Sequence, residues 1–196
     1  MSNENTRMML QPVLAELADV AGRVTEDQRD LPTPCEDFDV TDLTAHIVGW
    51  LENFAAGFAD PDGACPMGDV SGVQVSREEA QQRIIAAAQR FDQALQDGAA
   101  DRPLSIQGQG MPGEMALSMI LAEYLLHGWD LAVATGQDWN VSEDAVRSAH
   151  EFLREMVTPE YRGPGGMFGP EVPVHDDAPG WDRLLGFSGR NPRWTS

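Results

Sequence analysis

The stretch that decides the fold is residues 121–136, LAEYLLHGWDLAVATG, an apolar segment that ends at a glycine. A helix turns by about 100° per residue, so residues four and seven positions apart return to nearly the same face. Glu123, His127 and Asp130 therefore project from one side of an otherwise apolar helix. Because burying such groups without partners is unfavourable, the pattern predicts that a metal, a polar network or solvent compensates them.

Three helices are predicted before this stretch, because apolar residues recur there at steps of three and four. The first spans about residues 8–24, with Pro12 in its first turn, where proline is tolerated. Asp39 caps the second helix, and Ser76 with Glu79 forms a capping box for the third. The connection between the second and third helices is long and rich in glycine and proline. It can span the bundle and leave these two helices parallel.

The helix that contains the quoted stretch is predicted to begin at Pro112, since proline is favoured at a first helical position, and to end at Gly136. A fifth helix follows a cap at Ser142. Beyond it the chain is rich in glycine and proline, with one short apolar helix. These patterns predict an all-α bundle over residues 1–157 and a largely irregular C-terminal arm over residues 158–196, packed on the same domain.

The overall composition excludes several classes of protein. A chain of 196 residues with 42% hydrophobic residues is long enough to bury one substantial core. Its 13 Lys and Arg residues against 32 Asp and Glu residues give a net charge of −19, which repels phosphate backbones and argues against nucleic-acid binding. It contains neither an apolar run long enough to cross a membrane nor a signal-peptide pattern, so a cytoplasmic location is predicted.

The two cysteines, Cys35 and Cys65, lie in loop-like segments, and neither has a second cysteine at metal-ligand spacing. In a reducing compartment both are interpreted as ordinary thiols. A reactive Cys35 is the alternative.

A possible metal site emerges when the second helix is considered with the fourth. His46 lies on the predicted inner face of the second helix, and Glu123 and His127 are four residues apart on the fourth. Two imidazoles and a carboxylate suit Zn²⁺ with one coordination position left open, and they also resemble an open Fe(II) arrangement. From spacing alone, however, a hydrogen bond between Glu123 and His127 on a helix surface is the more frequent arrangement.

Neighbouring residues have alternative interpretations of the same kind. Asp130 could accept the second ring N–H of His127 or His46, as metal-bound histidines require, or bond to a neighbouring loop. Trp50 is expected to pack in the bundle or to form a pocket wall above His46. His150 is predicted to be solvated and His175 to lie on the surface.

Three segments carry a resemblance to a known family: TPCEDFDVTDLTAHIVG (33–49), EYLLHGWDLAVATGQ (123–137) and GGMFGPEVPVHDDAPGWDRLLGFSGRNPRW (165–194). They resemble actinobacterial metal-binding proteins related to the N-terminal domain of mycothiol-dependent maleylpyruvate isomerase, within the DinB/YfiT-like superfamily. The resemblance implies a four-helix bundle with up-down-down-up topology. It also implies a divalent metal, usually zinc, held by His46, Glu123 and His127. In that branch the metal is thought to activate a low-molecular-weight thiol such as mycothiol.

The leading functional hypothesis is a metal-dependent thiol transferase or isomerase that acts on a small electrophile. A coordinated thiol loses its proton, which gives a thiolate nucleophile at neutral pH. The isomerase carries a further C-terminal domain, whereas the tail of this chain is of another kind, so maleylpyruvate isomerase activity is not assigned. The alternatives are a metal-assisted hydrolase, a non-catalytic binding or stress-response module stabilised by its metal, and a bundle without metal.

Two expectations concern the surroundings of the site. If the arm crosses the open end of the bundle, Phe168 or Trp181 would help to shape the pocket. Exposed apolar helix faces and the arm would also permit a homodimer.

Overall fold

A computed structural model describes residues 2–66, 75–106, 108–163 and 166–195. In this part of the chain the protein is almost entirely helical, which confirms the predicted all-α fold. The helices in chain order are α1 (Asn3–Arg23), α2 (Val40–Ala59), α3 (Arg77–Gln96), α4 (Gly113–Ala134), α5 (Glu143–Met156) and α6 (Gly180–Phe187). A short antiparallel hairpin, β1 (Leu104–Ile106) and β2 (Gln109–Met111), precedes α4.

The predicted helix caps are present. The Asp39 carboxylate accepts a hydrogen bond from the backbone N–H of Asp42 at 2.8 Å, which fixes the start of α2. At the start of α3, the Ser76 hydroxyl accepts from the Glu79 N–H at 3.3 Å, and the Glu79 carboxylate accepts from the Ser76 N–H at 2.9 Å. This capping box satisfies two backbone donors that the helix itself leaves unpaired.

Two predicted helix starts were wrong. Helix α1 begins at Asn3, after a cap at Ser2, so Pro12 lies inside the helix and not in its first turn. Proline lacks an N–H and therefore removes one helical hydrogen bond, but the apolar residues that follow Pro12 are buried and hold the helix in place. Pro112 occupies the cap position of α4, one residue before the helix begins.

Contacts between helix ends establish the up-down-down-up topology. Arg7 at the start of α1 pairs with Asp92 near the end of α3 at 2.6 Å, so these helices are antiparallel. Phe58 and Phe91, both late in α2 and α3, have ring centroids 4.8 Å apart, which confirms that these two helices run parallel. Gln137, just after α4, donates to a backbone carbonyl in the last turn of α1. Residues 67–74 of the connection between α2 and α3 lie outside the described residues.

Helix α4 is the central helix, as its apolar sequence predicted. Sixteen of its 22 residues are buried, on all sides of the helix, and it contacts α1, α2 and α5. Trp139 packs directly on its backbone: a Cβ added to Gly128 would lie 2.2 Å from the indole ring. Although α4 is apolar, none of the helices in the described part of the chain is long and apolar enough to cross a membrane.

The C-terminal arm returns to the bundle through α6, which packs against α5. Arg162 donates to the carbonyl oxygens of Gly169 and Phe187 and so links the segment before α6 to the end of that helix. The buried Leu184 and Leu185 anchor the short helix. Outside α6 the described part of the arm is mostly irregular, as predicted. The boundary at residue 157 stays a prediction.

Candidate metal centre

The side chains of His46, Glu123 and His127 meet between α2 and α4. The Nε2 atom of His46 lies 3.0 Å from Oε1 of Glu123, and Nε2 of His127 lies 3.4 Å from the same oxygen. One potential ligand atom from each residue lies within 4.8 Å of the other two. Within the residues that the structure describes, this cluster contains these three side chains and no fourth His, Cys, Asp or Glu.

The three clustered side chains are partly exposed to solvent. The His127 side chain is 11% exposed, that of His46 21% and that of Glu123 32%. The side chain of His127 is therefore the most buried of the three, and that of Glu123 is the most exposed.

A second layer of polar groups lies behind His127. Its Nδ1 atom is 3.1 Å from Oδ2 of Asp130, whose side chain is completely buried. Because a carboxylate only accepts hydrogen bonds, Nδ1 carries the proton and donates it. In the neutral imidazole this leaves the lone pair on Nε2, directed towards Glu123.

Arg190 from the arm completes this layer. Its Nε atom donates to Oδ1 of Asp130 at 2.9 Å, and its Nη2 atom donates to Oδ2 at 2.7 Å. This bidentate pair compensates a carboxylate that would otherwise be buried without a cation. The sequence analysis missed Arg190. The available signal was Asp130 itself, because an acid on a buried helix requires a positive partner elsewhere in the chain.

The electrostatics of the cluster reflect these contacts. Burial by itself raises the pKa of Glu123, but the charge and hydrogen bonds of His127 and His46 outweigh it and hold that pKa well below its usual range. Burial lowers the pKa of His127, whereas Glu123 and Asp130 raise it by more, to about 9. Burial also opposes ionisation of Asp130, but Arg190 and His127 keep its pKa below the usual value. At neutral pH in the metal-free cluster, the carboxylates of Glu123 and Asp130 are therefore ionised, and both ring nitrogens of His127 carry a proton.

Aromatic rings flank the cluster on the α2 side. The ring centroid of His46 lies 5.0 Å from that of Phe38 and 6.5 Å from that of Trp50. Trp50 stacks on Phe54 at 5.4 Å, so it packs within the bundle as one interpretation expected. Its role as a pocket wall stays a prediction.

Neither cysteine is activated. Burial, reinforced by the negative charge of Asp130, raises the pKa of the Cys35 thiol to about 11, so this thiol is protonated at neutral pH. Cys65 is buried, and its thiol donates to the carbonyl oxygen of Asn53. The interpretation of ordinary thiols is thus supported over that of a reactive Cys35.

The remaining histidines lie apart from the cluster. His150, predicted to be solvated, is half-buried because α6 folds back on α5 and places Phe187 5.6 Å from the imidazole. That prediction was wrong, and burial lowers the pKa of His150. His175 is exposed, as predicted. The arm reaches the cluster through Arg190, which donates to Asp130. A role of Phe168 or Trp181 in shaping a pocket stays a prediction.

The fold and the cluster together define a class of protein: an all-α bundle with two histidines and one carboxylate converging between its second and fourth helices. The family described as the mycothiol maleylpyruvate isomerase N-terminal domain matches residues 10–132, and the chain belongs to this family. The matched residues include all of α2 and α3, most of α1 and α4, and all three clustered side chains.

The chain is also similar to two proteins of Mycobacterium tuberculosis, one from each of two strains, both named as uncharacterized proteins. The identity to each is 31% over 178 residues, which cover 90% of this chain and 92% of each relative. The similarity is therefore too long to be confined to residues 1–157 and extends into the arm. No solved structure matches this chain significantly.

Proposed function

We propose that this protein binds a divalent metal, with zinc as the native ion, through His46, Glu123 and His127. We further propose that it uses the metal to bind a small thiol of the mycothiol type for transfer to, or isomerisation of, a small electrophile. The observation that carries the proposal is the convergence of two imidazole Nε2 atoms on one carboxylate oxygen, at 3.0 and 3.4 Å. Membership of a family described by a mycothiol isomerase domain supports the thiol.

The donor set fits the ion. Imidazole nitrogen and carboxylate oxygen are preferred zinc ligands, and sites with three protein ligands leave a position for a reactant. A bound divalent cation would supply Lewis acidity, which lowers the pKa of a coordinated thiol so that it ionises at neutral pH. A fully closed structural site would require a fourth ligand, and within the described residues the cluster contains three.

The residues of the chain have distinct tasks in this proposal. Asp130 holds the proton on Nδ1 of His127 and directs Nε2 into the cluster. Glu123 has the most exposed of the three side chains and would be the ligand nearest to an incoming molecule. Phe38 lies against the ring of His46 and restricts its movement.

The charge of the cluster favours an anionic reactant. Metal binding displaces the proton from Nε2 of His127, since a ligating imidazole is neutral. The carboxylates of Glu123 and Asp130 and the guanidinium of Arg190 then contribute one net negative charge. A divalent cation changes this sum to one net positive charge, and a thiolate then neutralises it. A buried or half-buried site is most stable when its charges balance, so a thiolate is better matched than a neutral ligand.

The metal assignment is tested by elemental analysis of untagged protein. We expect close to one zinc ion per chain in the native sequence and a loss of zinc in His127→Ala. His175→Ala is the matched control, because it removes an exposed imidazole and should leave the metal content unchanged. If neither the native protein nor zinc-incubated protein retained metal, the metal function would be refuted.

The thiol assignment is tested on cobalt-substituted protein. Coordination of a thiolate to Co²⁺ produces a sulfur-to-metal charge-transfer band in the near ultraviolet. We expect this band when a low-molecular-weight thiol is added and no band with its S-methylated analogue, which cannot form a thiolate. A metal-loaded protein that gave no band with any thiol would instead favour the hydrolase or the non-catalytic module.

A further inference from the structure

Arg190 joins the arm to the cluster through a buried, bidentate contact with Asp130. Asp130 is completely buried, the Arg190 side chain is 11% exposed, and three donor–acceptor distances between them lie from 2.7 to 3.1 Å. The same Asp130 Oδ2 that accepts from Arg190 Nη2 also lies 3.1 Å from His127 Nδ1. One carboxylate oxygen therefore joins the arm to a clustered histidine.

The local structure of the arm delivers Arg190 to this position. Helix α6 is anchored by the buried Leu184 and Leu185 and ends at Phe187. Gly189 then adopts φ of +86°, and a Cβ there would lie 2.9 Å from the Cα of Gly169. This left-handed conformation ends α6 and reverses the direction of the chain. The backbone N–H of Arg190 then donates to the carbonyl oxygen of Leu185 at 2.9 Å. A residue with a side chain at position 189 would disturb both the turn and this close approach.

We propose that Arg190 is a positioning residue for the metal site, and that docking of the arm and binding of the metal stabilise each other. This inference rests on the proposed metal function. Arg190 fixes the Asp130 carboxylate, and the carboxylate fixes the ring orientation and tautomer of His127. Because coupling between two binding events is reciprocal, any gain in metal affinity from the docked arm equals the gain in arm docking from the metal.

The alternative is that the pair only stabilises the fold. A guanidinium is planar and donates through two parallel hydrogen bonds, whereas lysine offers a single point charge. A positioning role therefore predicts graded effects of substitution on metal binding, whereas a purely structural role predicts effects on unfolding alone.

The test measures zinc affinity by competition with a chromogenic chelator in the full-length chain. Replacement of hydrogen-bonding partners of metal-bound histidines weakens metal binding roughly ten- to a hundredfold, and we expect a loss of this size in Arg190→Gln. Arg190→Lys should recover part of the affinity. Arg193→Gln is the matched control, because it removes the same charge from an exposed residue of the same arm. The cobalt spectrum of Arg190→Gln should also differ from that of the native protein.

A second measurement uses only the native chain, so it holds even if Arg190→Gln does not fold. Zinc should slow amide hydrogen exchange over residues 184–194 by the factor by which Arg190→Gln weakens zinc binding, because the coupling is reciprocal. Exchange in α3 should change less. If native protein bound zinc while neither arm exchange nor the affinity of folded Arg190→Gln changed, the inference would be overturned and the metal function would stand. If native protein bound no zinc, both would fall.

Discussion

Two arginine–carboxylate pairs, Arg190–Asp130 and Arg83–Glu52, have nearly the same geometry and differ in their surroundings. In each, Nε and Nη2 of the arginine donate to both oxygens of the acid, at 2.9 and 2.7 Å in the first pair and 2.8 and 2.7 Å in the second. The side chains of Arg83 and Glu52 are 34% and 39% exposed, whereas Asp130 is completely buried.

The difference shows where electrostatics matter in this fold. Removing one partner of a buried pair leaves an uncompensated charge and costs about 3–5 kcal/mol, whereas an exposed pair contributes about 0–1 kcal/mol. The partly exposed Arg83–Glu52 pair joins α2 to α3. The buried pair joins the arm to α4 and also contacts His127, so the costly interaction is located at the candidate site.

Breaking the buried pair should have the largest effect on stability. Asp130→Asn keeps the shape of the side chain but leaves Arg190 without a counter-charge, and we expect the free energy of unfolding to fall by about 3–5 kcal/mol. The measurement is urea denaturation in the presence of a chelator. Asp138→Asn, at an exposed position just after α4, is the control and should change stability by less than about 0.5 kcal/mol. Similar values for the two variants would contradict the assigned importance of the buried pair.

Deprotonation of His127 should lower the stability of the protein by a smaller amount than Asp130→Asn. Asp130 keeps its ion pair with Arg190 when the imidazole loses its charge. In metal-free protein the pKa of His127 is raised from its ordinary value of 6.5 to about 9 by Glu123 and Asp130. A raised pKa contributes stability that is fully present below pH 6.5 and is lost as pH rises through about 9. We therefore expect the urea concentration at the midpoint of unfolding of the metal-free protein to decrease as pH rises from 6.5 to about 9. His127→Gln should flatten the dependence, and an unchanged slope would show that another group is responsible.

Breaking the partly exposed Arg83–Glu52 pair should have the smallest effect. Glu52→Gln should lower the free energy of unfolding by less than about 1 kcal/mol at low salt, and by still less in high salt, where the charges are screened. Urea denaturation at two salt concentrations measures both quantities. A loss comparable to that of Asp130→Asn would remove the distinction between the two pairs.

The sequence predicted much of the bundle because the signals are local. The spacing of Glu123, His127 and Asp130 places them together on any regular helix, and the caps at Asp39 and Ser76 depend on hydrogen bonds within four residues. The length of the connection after α2 correctly indicated parallel α2 and α3.

The sequence did not reveal the arm contact because nothing periodic encodes it. Arg190 meets Asp130 across 60 residues, after an irregular segment whose course depends on α6 packing and on the turn at Gly189. The burial of His150 was missed for the same reason, since its neighbour Phe187 belongs to α6. The early start of α1 shows a different limit: burial of the apolar residues after Pro12 outweighs the lost hydrogen bond.

X-ray absorption at the zinc edge tests the central claim most directly, because it reports which atoms surround the metal before and after a thiol is added. The account predicts a first shell of nitrogen and oxygen alone in the zinc-loaded protein, with the imidazole signature that His46 and His127 would give. After addition of a low-molecular-weight thiol it predicts one sulfur neighbour at about 2.3 Å. A shell that already contained protein sulfur, or one without imidazole, would contradict the proposed site.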